Sequence, residues 1–344
     1  MMRRLTVLVF GGVRALGRVR VRVMAWLSFL ASFLRRPSQI VARWPEGAVA
    51  LGPRVAIFVH WDGNGAVQEP VRHYLRALRE AGLSIVFVSN AGKLREDAWA
   101  ALRGLCDMAL LRRNIGYDFG AMREGLEACA LPRPETEMVL IVNDSVYGPL
   151  APLDETLAKI DFDAADVWGA TESWQRRYHL QSFFLVAGRR ALESAAWRRF
   201  WSRVRPVKSK AWVIWHYEIG LTRRLIAAGL RCSAIWPYLE MLHDLDISLL
   251  ELEEIKDPLL ASRKIHANRI RLAAVGRNPL NPSADLWRQL LRARFPFIKR
   301  ELLLKNPTGI EDVSDWRDAV AEVFGTDTGF IERDMQRTLR NRTP

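Results

Sequence analysis

The feature that most constrains this chain is a unit that recurs. A short apolar run ends in a polar, turn-rich tip, and a stretch with helical periodicity follows. Val55 to Val59 is the first run, closed by Asp62-Gly63-Asn64-Gly65. Ser84 to Val88 is the second, "DMALL" before Arg112 the third, and "MVLIVNDS" the fourth. Short apolar runs bounded by turn residues read as buried strands. Between the first two runs, Val67, Val71, Tyr74, Leu75 and Leu78 recur at helical spacing. "EDAWAALRGL" and "GAMREGLEACA" read as helices in the same way. Alternating strands and helices predict an α/β fold, an open and mainly parallel sheet with helices on both faces. Such sheets collect ligands outside the carboxyl ends of their strands. The tips after Val59, Val88, Leu111 and Val142 are therefore expected along one rim.

After about residue 150 the pattern changes. "HLQSFFLVAG" and "RCSAIWPY" read as further strands, "ESAAWRRFWSRV" and "YEIGLTRRLIAAGL" as helices. From about residue 250 the chain reads as mainly helical. Three regions are expected: a basic amphipathic segment over 1–45, a ligand-binding domain over 54–250, and a helical region over 251–344. "WPEGAVALGP" is the linker after the first.

Charge separates that first segment from the rest. The 344 residues carry a net charge of +13, and residues 1–45 hold nine arginines with no Asp, Glu or Lys. The remainder carries only +4. The longest uncharged run there, Val23 to Leu34, has 12 residues, whereas a spanning helix needs about 20. Its arginines continue past where a secretory signal would place its apolar run. The expected role is a peripheral element on an anionic membrane surface, with Trp26, Phe29, Phe33 and Leu34 dipping in. The competing reading is a helix packed on the body with its arginines solvated. Nucleic acid is not expected as a partner, because basic residues do not spread over the body. Cys106, Cys129 and Cys232 form no CxxC pair, which argues against a disulfide framework or a structural zinc site.

Five motifs carry candidate chemistry. "RRNIGYDFGAMREGL" puts Asn114, Gly116, Asp118 and Gly120 at a strand-to-helix junction. Glycines there let backbone approach a phosphate or sugar. Asp118 suits hydroxyl groups better than a pyrophosphate, or it caps the helix. Asn143, Asp144 and Ser145 end the fourth strand, either as a turn network or as ligand contacts. Mg²⁺ or Mn²⁺ wants hard oxygen ligands, and Asp144 is the one carboxylate on offer. His179 and Gln181 share one face of a strand and suggest a cleft wall. Glu218 opens a helix, either stabilised by the helix dipole or acting as a general base. Lys299, Arg300 and Lys305 follow "FPF" and read as a solvated helical face or as phosphate contacts.

Together "NIGYDFGAMREGL", "VNDSVYGPL", "VWGATES", "HLQSFFLV", "WHYEIGLT" and "NPSADLWRQLL" with "FPFIKRELLLKNP" resemble the rhamnan synthesis protein F family of polysaccharide glycosyltransferases. The likeness runs from about Val55 to the C-terminus. Motif order is also similar to the wider GT-A glycosyltransferase plan. There a glycine-bearing loop precedes a strand ending in Asp-x-Asp, and a later acidic pair supplies the base. Asn143-Asp144-Ser145 and Tyr217-Glu218 stand at those two places, with both outer carboxylates of the first replaced.

The resemblance implies an inverting rhamnosyltransferase using dTDP-rhamnose on a glycan or lipid-linked glycan acceptor. It would act in assembly of a cell-surface polysaccharide such as O-antigen, capsule or rhamnan, at the cytoplasmic face of the membrane. Glu218 would be the catalytic base. Asn114, Gly116, Asp118, Gly120, Asn143, Asp144 and Ser145 would hold the donor, and His179 and Gln181 the acceptor side. A divalent metal at Asp144 stays open, with Arg112 and Arg113 as the other means of neutralising the diphosphate. A non-catalytic scaffold that binds nucleotide-sugar or polysaccharide is the alternative.

Overall fold

The computed structural model describes residues 17, 19–36 and 38–340. A helix over residues 19–31, α1, leads into strand β1 (Ile40–Trp44). Then come β2 (Arg54–His60), α2 (Glu69–Glu80), β3 (Ser84–Ser89), α3 (Glu96–Leu105), β4 (Met108–Arg112), α4 (Tyr117–Ala128) and β5 (Met138–Asn143). The strands continue with β6 (Val146–Tyr147), β7 (Val167–Ser173), β8 (His179–Leu180), β9 (Phe184–Gly188), β10 (Cys232–Trp236) and β11 (Ile298–Lys299). Each of the four runs read from the sequence is a strand, and β4, β3, β2 and β5 lie side by side and parallel.

The sheet order is β1-β4-β3-β2-β5-β9-β7-β10, with β8 paired to β7. Setting aside β1 and β8, the order by chain position is 3-2-1-4-6-5-7. A dinucleotide-type sheet runs 3-2-1-4-5-6 and all parallel. Here the neighbour of β5 is β9, which runs antiparallel, with Leu140 opposite Val186 and Val142 opposite Phe184. This is the mainly parallel open sheet expected, with antiparallel β9 inserted in it. "HLQSFFLVAG" is two strands rather than one, because Gln181, Ser182 and Phe183 leave the sheet between β8 and β9.

Alternation along the strands fills both faces. Val55, Ile57 and Val59 of β2 enter one core with Met122 and Trp201. Ala56 and Phe58 enter the other with Leu75, Phe87, Phe184 and Phe297. A third cluster holds the helical C-terminal region together through Trp287, Leu302, Trp316 and Ile331. That region is tied to the sheet's rim: β11 pairs antiparallel with β6, and the Leu150 amide donates to the Pro296 carbonyl at 2.8 Å.

Within the segment over 1–45, the described part is continuous with the body. Ile40–Trp44 is the edge strand β1, antiparallel to β4. Ala25 of α1 is buried, and Phe29 stacks on Trp212 at 4.3 Å between ring centroids. Phe33 lies under the Arg205 guanidinium at 3.9 Å. The opposite side of α1 exposes apolar residues: Leu27 is 53%, Leu30 58% and Leu34 92% exposed. No described helix is long and apolar enough to cross a membrane.

Candidate active site

The rim is built around the end of β5. The Asn143 side-chain oxygen accepts from the Ser145 amide at 3.1 Å and the Ser145 hydroxyl at 2.6 Å, an Asx turn. Its amide nitrogen donates to Asp118 Oδ2 at 3.1 Å. The Asp144 carboxylate accepts from the Trp61 amide at 3.0 Å, at the end of β2. The tip of β5 therefore bridges the end of β2 and the start of α4, as the parallel sheet requires.

The glycine-bearing loop has a cause of its own. Arg112 closes β4 and is fully buried against Glu124, Nε to Oε2 at 2.9 Å. Its guanidinium also donates to the Ile115 carbonyl at 2.6 Å and to the Asn90 side chain. A Cβ at Gly120 would meet Arg112 Nη2 at 2.9 Å. Gly116 turns the chain at a φ of 91° to cap α4. Arg112 therefore shapes the loop from beneath and does not reach a ligand, contrary to the expectation that it neutralises a diphosphate. Arg113 and Asn114 are exposed on the loop.

Glu218 does not open a helix. The helical stretch begins at Lys210, where Ser209 caps it by accepting from the Trp212 amide. It passes through a π-helical turn, Val213–Glu218, and continues as Ile219–Ala227. The helix-dipole account of Glu218 thus falls away. Single π turns inside helices are frequent at functional sites because they re-aim side chains. Here Glu218 Oε1 accepts from the Ser182 hydroxyl at 2.8 Å and the Ser182 amide at 3.3 Å. Ser182 lies in the break between β8 and β9, so that break positions the carboxylate.

The motif "FPFIKRE" delivers groups that the sequence left between a solvated face and phosphate contacts. β11 lays Lys299 along β6, and its ammonium lies 3.3 Å from Ser145 Oγ and 4.5 Å from the Phe183 ring centroid. The Arg300 amide donates to the Ser145 carbonyl at 3.0 Å, and its guanidinium to the Asp144 carbonyl at 3.3 Å and Asp334 at 2.9 Å. A two-residue strand has too little pattern to be read from sequence. The buried phenylalanines flanking Pro296 were its only local signal.

Electrostatics joins these groups into one cluster. Burial pushes the Asp118 carboxyl up to about 6, the charges of Asp144 and Glu218 push further, and Asn143 and Lys299 oppose them. Burial likewise pushes Asp144 up to about 6 against Arg300. Burial pulls the Lys299 ammonium below the usual lysine range, while Glu218, Glu301 and Asp118 pull it back. The sign for stability follows. An acid whose folded pKa is raised binds its proton more tightly when folded, so stability falls as pH climbs from 3.8 to about 6. Asp118→Asn is expected to raise the melting temperature at pH 8 by roughly 1–3 °C and to change it less at pH 4. A pH series of calorimetric scans on the two proteins checks this.

His179 and Gln181 sit beside this cluster in different states. His179 is buried in β8, its Nδ1 donating to the Arg177 carbonyl at 2.8 Å. Gln181 Oε1 accepts from the Thr171 hydroxyl at 2.7 Å, and its amide nitrogen donates to Asn281 at 3.2 Å. Both have partners within the fold.

Among the described residues, no three His, Cys, Asp or Glu side chains converge as metal ligands do. At the tip, Asn143 Oδ1 accepts from Ser145, Asp144 Oδ2 accepts from Trp61, and Ser145 Oγ meets Asn143 and Lys299. With Asp144 as its one carboxylate, this set is a poor fit for a divalent metal, which takes several hard, charged oxygen ligands.

Comparison with known proteins agrees with the family resemblance. The family model described as "Rhamnan synthesis protein F" matches residues 85–246. The virulence protein VirA of Vibrio anguillarum is 31% identical over 232 residues, covering 64% of this chain and 69% of that protein. The protein y4gN of Sinorhizobium fredii is 27% identical over 195 residues, covering 56% of this chain and 50% of its own. Among solved structures, a glycosyltransferase acting in glycosylation of the PBCV-1 major capsid aligns at 12% identity and a TM-score of 0.35, over 62% of this chain and 99% of that one. The mannosyltransferase PcManGT of Pyrobaculum calidifontis, seen with GDP-Man and Mn²⁺, aligns at 14% identity and a TM-score of 0.34, over 95% and 91%. The class is that of proteins of polysaccharide synthesis. Within it, the chain belongs to the rhamnan synthesis protein F family.

Proposed function

We propose that this protein is an inverting rhamnosyltransferase that takes rhamnose from dTDP-rhamnose. Its acceptor is a glycan or lipid-linked glycan of a growing cell-surface polysaccharide. The observation that carries this reading is the gathering of Asp118, Asp144 and Glu218 at the carboxyl edge of the sheet, where the Asn143 amide beside Asp144 bonds to Asp118. Asn114, exposed on the loop that Gly116 and Gly120 shape, suits the nucleotide end of the donor, and Asp118 accepts from sugar hydroxyls. Asn143, Asp144 and Ser145 face the diphosphate. Glu218 removes the proton from the acceptor hydroxyl as that oxygen bonds to the sugar carbon. The bond from that carbon to the diphosphate breaks, and the electron pair leaves with the nucleoside diphosphate. Gln181 and His179 border the acceptor side through Ser182, their chain neighbour, which holds Glu218.

The test is a transfer assay with purified protein, oligosaccharide acceptors and a panel of nucleotide-sugars. Product from dTDP-rhamnose and no other donor supports the reading; product from a different donor alone replaces rhamnose. The scaffold alternative draws on the loss of both outer carboxylates at the β5 tip. Donor binding with no turnover on any acceptor would favour it.

The exposed side of α1 supports a peripheral place on an anionic membrane surface, at its cytoplasmic face. Leu27, Leu30 and Leu34 stand out beside Arg20, Arg22, Arg35 and Arg36. The double variant Leu27→Glu with Leu30→Glu is expected to weaken binding to phosphatidylglycerol vesicles at least tenfold. Each burial forgone is worth about 1.5–3 kcal/mol. Vesicle co-sedimentation checks this, and unchanged binding would move the membrane surface elsewhere.

A further inference from the structure

A glycosyltransferase that releases a nucleoside diphosphate must answer the charge that grows on its leaving oxygen. Preorganised cations at that point are among the largest contributions to such catalysis. At this rim the expected metal site offers a single carboxylate, Asp144, and a side-chain cation stands beside it. β11 pairs with β6 directly behind the tip, and this pairing sets Lys299 against Ser145 and places Arg300 on Asp144. The two are not equivalent. Arg300 is held by Asp334, by the Asp144 carbonyl and over the Tyr147 ring at 5.1 Å, so its charge is largely committed to the fold. Lys299 has no ion-pair partner within 4.0 Å among the described residues; its close contacts are a hydroxyl and an aromatic ring, and the acids acting on it are Glu218, the neighbouring Glu301 and Asp118.

We infer that Lys299 takes the place of the divalent metal: its ammonium holds the donor diphosphate and neutralises the leaving group, and transfer by this protein is independent of metal. The inference rests on the transferase reading above. Before the donor arrives, Lys299 balances the carboxylates of Asp118 and Glu218. When the diphosphate enters, the ammonium gains two phosphate oxygens as partners and Glu218 is left to the acceptor hydroxyl. In the transfer step the sugar–oxygen bond breaks and its electron pair settles on the diphosphate beside Lys299. The acceptor oxygen forms the new bond, and its proton goes to Glu218. Charge and atoms balance with no ion added.

The experiment has a binding arm and a turnover arm, each run after dialysis against EDTA and again with added Mn²⁺. In calorimetric titration, dTDP is expected to bind the wild-type protein equally under both conditions and to bind Lys299→Met about 10- to 100-fold more weakly. In turnover, wild type is expected to keep its rate after EDTA. Lys299→Met is expected to fall about 10²–10³-fold in kcat, the loss typical of removing one charge-stabilising group. Lys299→Arg is expected to recover part of the rate, and ethylamine to rescue Lys299→Ala. Circular dichroism melts identify any variant that has failed to fold, in which case the EDTA arms on wild type still decide. Wild-type activity or dTDP binding abolished by EDTA and restored by Mn²⁺ overturns the inference while leaving the transferase reading intact. Full activity in Lys299→Met also overturns it. If dTDP, UDP and GDP all fail to bind wild type, the transferase reading fails and this inference with it.

Discussion

Glu218→Gln is expected to reduce sugar transfer by about 10²–10⁴-fold, the usual contribution of a positioned general base, while leaving dTDP affinity within about threefold of wild type. The reasoning starts from shape. Gln keeps the length of Glu and an Oε1 that still accepts from Ser182, so the π-helical turn and the break between β8 and β9 keep their bond. What is lost is the ability to take a proton. Because the proposed donor contacts come from the β5 tip and the α4 loop, a base-only change belongs in kcat and not in nucleotide binding. Ser182→Ala separates aim from chemistry: the carboxylate remains but its position loosens. About a tenfold fall in kcat is expected there, with the pH dependence of the rate retained. Steady-state kinetics with purified donor and acceptor, across pH 5 to 9, distinguishes the two. Full activity in Glu218→Gln would remove it from the base role.

How much of this was legible beforehand depends on the range of the interaction. The parallel core was legible because each strand announces itself locally, as an apolar run closed by polar turn residues. Asp118 and Asp144 were legible as neighbours, since parallel strands bring their carboxyl ends together; Glu218 lies in a helix, and its expected place came from the order of motifs in the family resemblance. The direction of β9 was not legible: a strand buried on both faces carries no alternation and reads the same either way. Glu218's place inside a helix was hidden because "KAWVIWHY" is rich in aromatic and β-branched residues, which helices disfavour. Packing of Trp212 against Phe29 of α1 overrides that preference. Lys299 was named, but the choice between solvent and phosphate contact was not legible. Its contact with Ser145 spans 154 residues and depends on a two-residue strand. Arg112 erred in the opposite direction, because a charge beside a glycine loop looks like a ligand contact until its burial is seen.

That burial makes Arg112→Ala the substitution expected to damage the fold most. Arg112 and Glu124 are 0% and 3% exposed and bonded at 2.9 Å. Glu124 also accepts from the Gln39 amide at 2.7 Å, which ties the start of β1 to α4. Removing one partner strands the other charge in the core, a loss of about 3–5 kcal/mol. Chemical denaturation should show it as a lower midpoint. Glu124→Gln should be milder, because its one amide oxygen still accepts from either the Gln39 amide or the Arg112 Nε, which the two carboxylate oxygens of Glu124 serve separately. Replacing both charges, with Arg112→Met and Glu124→Leu, removes the stranded charge, and such swaps are often neutral or stabilising. Here the double variant should recover much of the stability but not function. Without the guanidinium, the Ile115 carbonyl loses its 2.6 Å donor and the loop that carries Asn114 and Gly116 loses its support. dTDP affinity should therefore stay reduced by about tenfold while the midpoint recovers. If Arg112 instead neutralised a diphosphate directly, Arg112→Lys would keep binding, because a lysine still offers the charge. With its role in the loop, Arg112→Lys should bind as poorly as the double variant, since one ammonium cannot reproduce the planar, forked set of donors that meets Glu124, Asn90 and Ile115 together.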